Sequence, residues 1–296
     1  MLKPLRLSHS TLLLLHSCER KLQLRKLLAG DDDKEESAHL TFGTAYGVGV
    51  ASYLTYQDQD RALLACWLAY YPELEYKTKS LTKCLAALMA SFAHLDSLLD
   101  DYELVSFNSK PAVELSFRLN INADYYFVGH IDAILKHRYS GIHVVFECKH
   151  TGSNLTDLDP LYKNSGQALG YSIVLDRITG QALSSYGVLY FVAQVGKDYQ
   201  PKIHTLFYDK TITDRLHWFI TLGLDVKHLE EMKELNIYPM RGNSCVAFNR
   251  PCMYFGTCQL HAMDRPKEPE PDLVDYSFTY DLGELMRDHI ARVGEA

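Results

Sequence analysis

Apolar residues recur at helical spacing through residues 8–28, 42–56, 62–70 and 81–99, and after residue 101 the pattern changes to alternation. That change from a period of 3.6 to a period of 2 separates helices from half-buried strands. The first helix is predicted to be capped by Ser8 or Ser10, to carry Arg20, Lys21, Arg25 and Lys26 in its second half, and to end at Gly30. Segments 113–121, 125–137 and 142–150, rich in Val, Ile, Phe and Tyr, read as strands, the last two joined by a turn at Tyr139-Ser140-Gly141. A helix over 161–178, strands over 186–194 and 202–208, and a long helix over 212–235 follow. A mixed α/β core with helices added at its start is the simplest assembly. No internal repeat stands out, and the stretch after Met263, with Pro266, Pro269 and Pro271, reads as a linker.

Composition narrows the class. With 296 residues, 47% hydrophobic and 23% charged, disorder, collagen and coiled coil are excluded as the main state. The apolar run Leu12 to Leu15 falls far short of the roughly 18 residues that a membrane span needs, so the chain is expected to be cytoplasmic. Seven cysteines without an export signal argue against a disulfide framework and leave thiolate ligands or buried thiols. The net charge of −7 is uneven: residues 264–296 hold nine acids and four bases, and residues 31–36 add −4, which leaves the rest slightly basic. Such a distribution is compatible with a nucleic-acid partner.

The hairpin over 125–150 carries the candidate chemistry. A turn centred near Ser140 sets Asp132 opposite Cys148, so that Glu147 and Lys149 flank it across the ladder. Alternation puts Glu147 and Lys149 on one face and Val144, Phe146 and Cys148 on the other. Close carboxylates raise each other's pKa unless a cation sits between them, and hard oxygen ligands suit Mg²⁺ or Mn²⁺. A lysine beside such a metal can polarise a water for attack on phosphorus. The plain alternative is a surface Glu–Lys pair, worth under about 1 kcal/mol. Downstream, Gln167 and Tyr171 stand four apart and share a helix face.

Asp132 in Gly129-His130-Ile131-Asp132, then Glu147-Cys148-Lys149, then Gln167 and Tyr171, resembles the PD-(D/E)XK nuclease superfamily, specifically its RecB-like exonuclease branch. Glu114 in Val-Glu-Leu-Ser-Phe fits the strand before the Gly-x-x-Asp motif. The resemblance implies that Asp132, Glu147 and the Cys148 carbonyl hold a metal, and that Lys149 positions the attacking water and stabilises the phosphate. It makes Gln167 and Tyr171 orient substrate or lysine, with Glu114 in support. One departure stands out: where the branch carries a metal-binding His after its Gly-Thr segment, Phe42-Gly43-Thr44-Ala45-Tyr46 leads to Gly47. Water, or His130, is expected in its place.

Cys245, Cys252 and Cys258 are separated by six and five residues, longer than a zinc-knuckle spacing. Together with Cys18 in Ser17-Cys18-Glu19-Arg20-Lys21 they resemble the ligand set of AddB-like iron–sulfur exonucleases. The resemblance implies a [4Fe-4S] cluster on Cys18, Cys245, Cys252 and Cys258 that staples segments 7–30 and 240–260 together. It further implies one nuclease domain over 1–262, with a helical insertion at 37–101, a core at 102–236 and an acidic tail at 263–296. Cys66, Cys84 and Cys148 read as buried thiols. If the first helix borders DNA, Arg20, Lys21 and Arg25 supply phosphate contacts. The expected function is therefore metal-dependent DNA exonuclease activity in phage or bacterial recombination, replication or repair, with a recombination or replication protein as a further partner. Two competitors are a non-catalytic DNA-binding protein on the same fold and a zinc-stabilised endonuclease.

Overall fold

The computed structural model describes residues 4–28, 38–70, 79–196, 200–247, 250–259 and 272–295. The chain divides into two compact units: Met1–Lys34, Phe117–Gly129 and Leu216–Ile290 in the first, Glu35–Ser116, His130–Arg215 and Ala291–Ala296 in the second.

In the first unit, strand β1 (Leu5–Ser8) runs parallel to the start of β4 (Tyr125–His137), with Leu5 opposite Tyr125 and Ser8 opposite Val128. Ser8 then caps α1 (His9–Ser17), its hydroxyl accepting from the Thr11 amide at 3.3 Å. The single helix predicted over 8–28 breaks at Cys18, whose backbone is extended (φ −168°, ψ 114°), before α2 (Glu19–Leu22) and a π turn at Gln23–Leu27. The Cys18 amide still closes the last turn of α1 on Leu14 O at 2.9 Å, and the Arg20 amide, which the break leaves without a helical partner, bonds Pro239 O at 3.1 Å. The stretch that read as a linker also holds regular structure. Strand β8 (Phe278–Asp281) pairs parallel with the second half of β3 (Val113–Asn120), and α10 (Leu282–Glu295) follows, with Leu282, Leu285 and His289 buried. The His289 ring meets Phe219 edge-on at 5.0 Å.

In the second unit, β4 and β5 (His143–Thr151) are antiparallel, β5 and β6 (Ser185–Gln194) parallel, and β6 and β7 (Lys202–Thr211) antiparallel. Strand β2 (Tyr102–Leu104) adds antiparallel to the end of β4. Helices α3 (Ala38–Tyr56), α4 (Gln59–Ala69) and α5 (Leu81–Asp101) cover one face through Phe42, Tyr46, Leu88 and Leu95, packed on Phe146, Leu189 and Phe191. The helix predicted over 161–178 is three helices: α6 (Leu155–Lys163), α7 (Gly166–Ile173) and α8 (Leu175–Thr179). Ser165 starts α7 by accepting from the Ala168 amide, and Gly180, at φ +72°, ends α8. The long helix α9 (Ile212–Leu235) has the predicted bounds, and β3, β4, α9 and α10 contribute residues to both units. The mixed α/β sheet flanked by helices is as expected.

Two glycines inside α3 have opposite requirements. A Cβ at Gly47 would meet nothing within 4 Å, whereas one at Gly49 would lie 2.5 Å from Leu88 Cδ2 and 3.0 Å from Cys66 Cβ. Gly47→Ala is expected to raise stability by about 0.5–1 kcal/mol through helix propensity. Gly49→Ala is expected to lower it by about 1–3 kcal/mol through overpacking. Urea midpoints of the two variants check this, and the opposite order would refute the packing read here.

Candidate active site

The β4–β5 register sets the site. Ala133 faces Phe146, and continuing that ladder places Asp132 opposite Glu147, one residue from the predicted partner Cys148. The reason is the turn: His137 N bonds Ile142 O and Gly141 N bonds His137 O, both at 2.9 Å, so the hairpin centre lies between Tyr139 and Ser140. Opposed residues share a sheet face. Asp132, Glu147 and Lys149 therefore do so as well, which the predicted register would not have achieved.

Hydrogen bonds tie these groups together. Asp132 Oδ2 accepts from the Cys148 amide at 2.7 Å. Lys149 Nζ donates to Glu147 Oε1 at 2.6 Å and to Gln167 Oε1 at 3.1 Å, and Gln167 Nε2 donates to the Tyr171 hydroxyl at 2.7 Å. The i, i+4 spacing of Gln167 and Tyr171 on α7 makes that last contact. Glu147 is 2% exposed, and its Oε2 is buried without a hydrogen-bond partner among the described residues. Tyr190, its in-register neighbour on β6, closes the site from the side and packs on Tyr162 at 4.9 Å. Glu114 sits at the start of β3 with φ +50°, a left-handed backbone that costs a non-glycine residue about 1 kcal/mol and that clusters at functional sites.

Asp132 and Glu147 share one ammonium here, with Glu114 close to both, and the three pKa values follow. Burial, then the neighbouring Asp132, pushes Glu147 up to about 8. Burial, then Asp132, pushes Glu114 up to about 7. Asp132 is raised by burial, against the pull of Lys149 and the Cys148 amide. Burial works against the Lys149 ammonium, but Glu147 and Asp132 outweigh it and its pKa rises. An acid raised in the folded state binds more protons there than in the unfolded chain, so it costs stability as pH rises from its unfolded value to its folded one. Thermal midpoints are therefore expected to fall between pH about 5 and 8 in the wild type. Glu147→Gln should flatten that slope; an unchanged slope in the variant would show that Glu147 is not the titrating group.

The sequence profile of the PD-(D/E)XK nuclease superfamily matches residues 6–259. The chain belongs to the PD-(D/E)XK nuclease superfamily. A crystal structure of a protein from Eubacterium rectale, provisionally named an exonuclease, is similar with 14% identity over 90% of this chain and 91% of that one, at a TM-score of 0.49. No curated protein matches the sequence.

Within this PD-(D/E)XK chain several expectations are corrected. Among the described residues no group of three or more His, Cys, Asp or Glu side chains is placed to hold a metal ion. This overturns the [4Fe-4S] cluster on Cys18, Cys245, Cys252 and Cys258, and with it the iron–sulfur loop, the iron–sulfur branch and the zinc variant. It equally overturns Mg²⁺ or Mn²⁺ as a cofactor held by Asp132, Glu147 and the Cys148 carbonyl. The cation present at the site is the Lys149 ammonium, 2.6 Å from Glu147 Oε1. His130 is exposed and completes no ligand set, and a side chain at Gly47 would meet open space.

The four cysteines line one cavity as free thiols, together with Met240, Arg241 and Phe255. The junction expected of a cluster is made by polar contacts in the first unit: Ser244 Oγ donates to Ser17 O, Arg20 Nε to Cys258 O at 3.0 Å, and Arg241 Nε to Glu19 Oε2 at 2.8 Å. The Arg241 guanidinium holds the Glu19 carboxyl down at about 2. Arg20, expected on DNA, is 1% exposed and points inward, while Arg25 is exposed and Lys21 half-buried. Cys66 and Cys84 are buried, as expected, with their sulfurs 3.5 Å apart, and Cys148 is half-buried. No described helix is long and apolar enough to cross a membrane. Sequence reasoning missed Tyr190, because a tyrosine in an apolar strand reads as core and only the β5–β6 register brings it beside Glu147.

Proposed function

We propose that this chain is a DNA exonuclease that hydrolyses phosphodiester bonds at the Asp132, Glu147 and Lys149 site, as the spacing of the RecB-like branch suggests. The observation that carries the reading is the Lys149 ammonium, held by Glu147 and Gln167 beside a second, half-buried carboxylate in a member of a nuclease superfamily. A fixed ammonium stabilises charge that develops on a phosphoryl oxygen. A carboxyl whose pKa lies near the working pH is matched to accept a proton from attacking water. Glu147, raised to about 8 and with one oxygen unpartnered, has that character. Tyr171 and Gln167 keep Lys149 in place, Asp132 raises Glu147, and Glu114 adds to the same field. Lys21 and Arg25 supply sequence-independent phosphate contacts.

The test is digestion of end-labelled linear DNA and of the same sequence as a closed circle, in chelator and with added Mg²⁺ or Mn²⁺, so that any metal requirement is measured. Linear DNA should be degraded from its ends and the circle spared. Cutting of the circle would make the enzyme an endonuclease. Binding without degradation in every condition would favour the non-catalytic reading.

A further inference from the structure

The first unit lines one cavity with thiols that the Asp132, Glu147 and Lys149 site does not use. Cys18, Cys245, Cys252 and Cys258 share its wall with Lys21 and Arg241, and the space, about 90 Å³, is several times what one water needs. Cys245, Cys252 and Cys258 are half-buried, and Cys18 is 8% exposed. A partly open place edged by cations is where thiols react. The thiol pair of the second unit differs: the Cys66 and Cys84 sulfurs are 3.5 Å apart, but both residues are sealed from solvent at 0% exposure.

Backbone pairing singles out two of the four. Val246–Ala247 and Arg250–Pro251 form a short antiparallel pair, with Val246 opposite Pro251 and Ala247 opposite Arg250. The next rung sets Cys245 opposite Cys252, and the Cys252 amide donates to Cys245 O at 2.7 Å, so the ladder continues there. Opposed residues of an antiparallel pair have Cα atoms about 4.5–5.5 Å apart and project to one face. A disulfide spans about 4.4–6.8 Å between Cα atoms, so this one can form without moving the backbone. The Cys245 thiol is engaged only by Arg241 O at 3.8 Å, a weak contact that a disulfide displaces. The other two thiols are placed differently. The Cys18 thiol points to Pro239 O at 4.0 Å, and Cys258 stands in a turn, its amide on Tyr254 O at 2.8 Å.

We propose that Cys245 and Cys252 are an oxidation site, converted by hydrogen peroxide into a cross-strand disulfide. The thiolate of one attacks a peroxide oxygen; the O–O bond breaks, a sulfenic acid forms, and the departing hydroxide takes up the thiol proton as water. The second thiol attacks that sulfur, the S–O bond breaks, and a second water leaves. Two thiols lose two electrons and one peroxide gains them. The new bond ties together strands next to Arg241 and Ser244, whose side chains hold Glu19 and Ser17. Its chemistry is independent of whether the chain is a nuclease.

The test uses the full-length chain, reduced and freed of metal by a chelator, then treated with hydrogen peroxide, denatured and alkylated. Two of its seven thiols should become unavailable to alkylation, peptide mapping should find Cys245 joined to Cys252, and dithiothreitol should restore all seven. Cys66→Ser should still lose two thiols, whereas Cys245→Ser and Cys252→Ser should form no intramolecular disulfide. Seven alkylated thiols after peroxide, a disulfide joining any other pair, or recovery of Cys245 and Cys252 as sulfinic acids overturns the proposal. A disulfide that persists in Cys245→Ser does the same. The wild-type map decides even where a variant fails to fold.

Discussion

Lys149→Met is expected to lower the rate of DNA degradation by about 10³-fold or more, close to 4 kcal/mol of transition-state stabilisation. The side chain is the one cation bonded to both Glu147 and Gln167, so nothing nearby can replace its charge against a phosphoryl oxygen. The fold should survive. Without the ammonium, the Glu147 and Asp132 pKa values move further upward, because a buried carboxyl without its counter-charge favours the neutral form. The alkaline displacement of that titration distinguishes loss of a charge from loss of structure. Where activity persists, its rise with pH should come later than in the wild type, whose limb is expected near pH 8 from Glu147. Asp132→Asn should move the limb the other way, since Asp132 helps to hold Glu147 up. Lys149→Arg retains charge but replaces the compact ammonium that bonds Glu147 and Gln167 from one atom with a bulkier planar fork, and should recover only part of the rate. Initial rates on end-labelled DNA measure all three variants; more than a tenth of wild-type activity in Lys149→Met would remove Lys149 from the reaction.

The parts of this site that were legible are those set by a short, local period. Strand alternation gave Glu147 and Lys149 a common face, helical spacing joined Gln167 to Tyr171, and the β4 bounds were readable from a run rich in Val, Ile, Phe and Tyr ending in a turn. What failed depended on contacts remote in the chain. The Cys18 break relies on Pro239, and the inward turn of Arg20 relies on a carbonyl at Cys258, more than two hundred residues away. The one-residue register error came from the turn centre, which backbone hydrogen bonds decide and residue identity does not. Helix α10 escaped notice because its buried face includes His289, a residue that does not mark an apolar stripe. The cysteine expectation failed differently. Residue types and order matched a ligand set, and the fold does bring the four thiols to one cavity, but a common lining is a weaker condition than convergence on one point.

The largest stability effect is expected at a residue far from any chemistry. In the second unit, Asp176 on α8 accepts from Arg215 Nη2 at 3.2 Å and from Arg292 Nη2 at 2.5 Å, while Arg292 Nη1 donates to the Tyr186 hydroxyl at 2.9 Å. Arg215 is fully buried; its guanidinium stacks 3.6 Å over the Tyr186 ring and donates to Ile173 O at 2.5 Å. Its Nε and Nη1 have no hydrogen-bond partner among the described residues. Two guanidinium groups thus depend on one carboxylate, and burial already lowers the Arg215 pKa. An arginine cannot escape by deprotonating near neutral pH, so removing the carboxylate leaves a charge that has nowhere to go. Asp176→Asn, which keeps the shape and removes the charge, is expected to cost about 3–5 kcal/mol in urea unfolding. Because the pair is desolvated, 1 M salt, whose screening length is about 3 Å, should change that loss little. Arg292→Ala leaves the Asp176–Arg215 pair intact and should cost much less. The decisive comparison is Arg215→Met in the Asp176→Asn background. If the loss comes from an uncompensated buried charge, deleting that charge restores part of the stability; if the double variant is less stable than Asp176→Asn alone, packing of the guanidinium on Tyr186, rather than its charge, sets the requirement at this position.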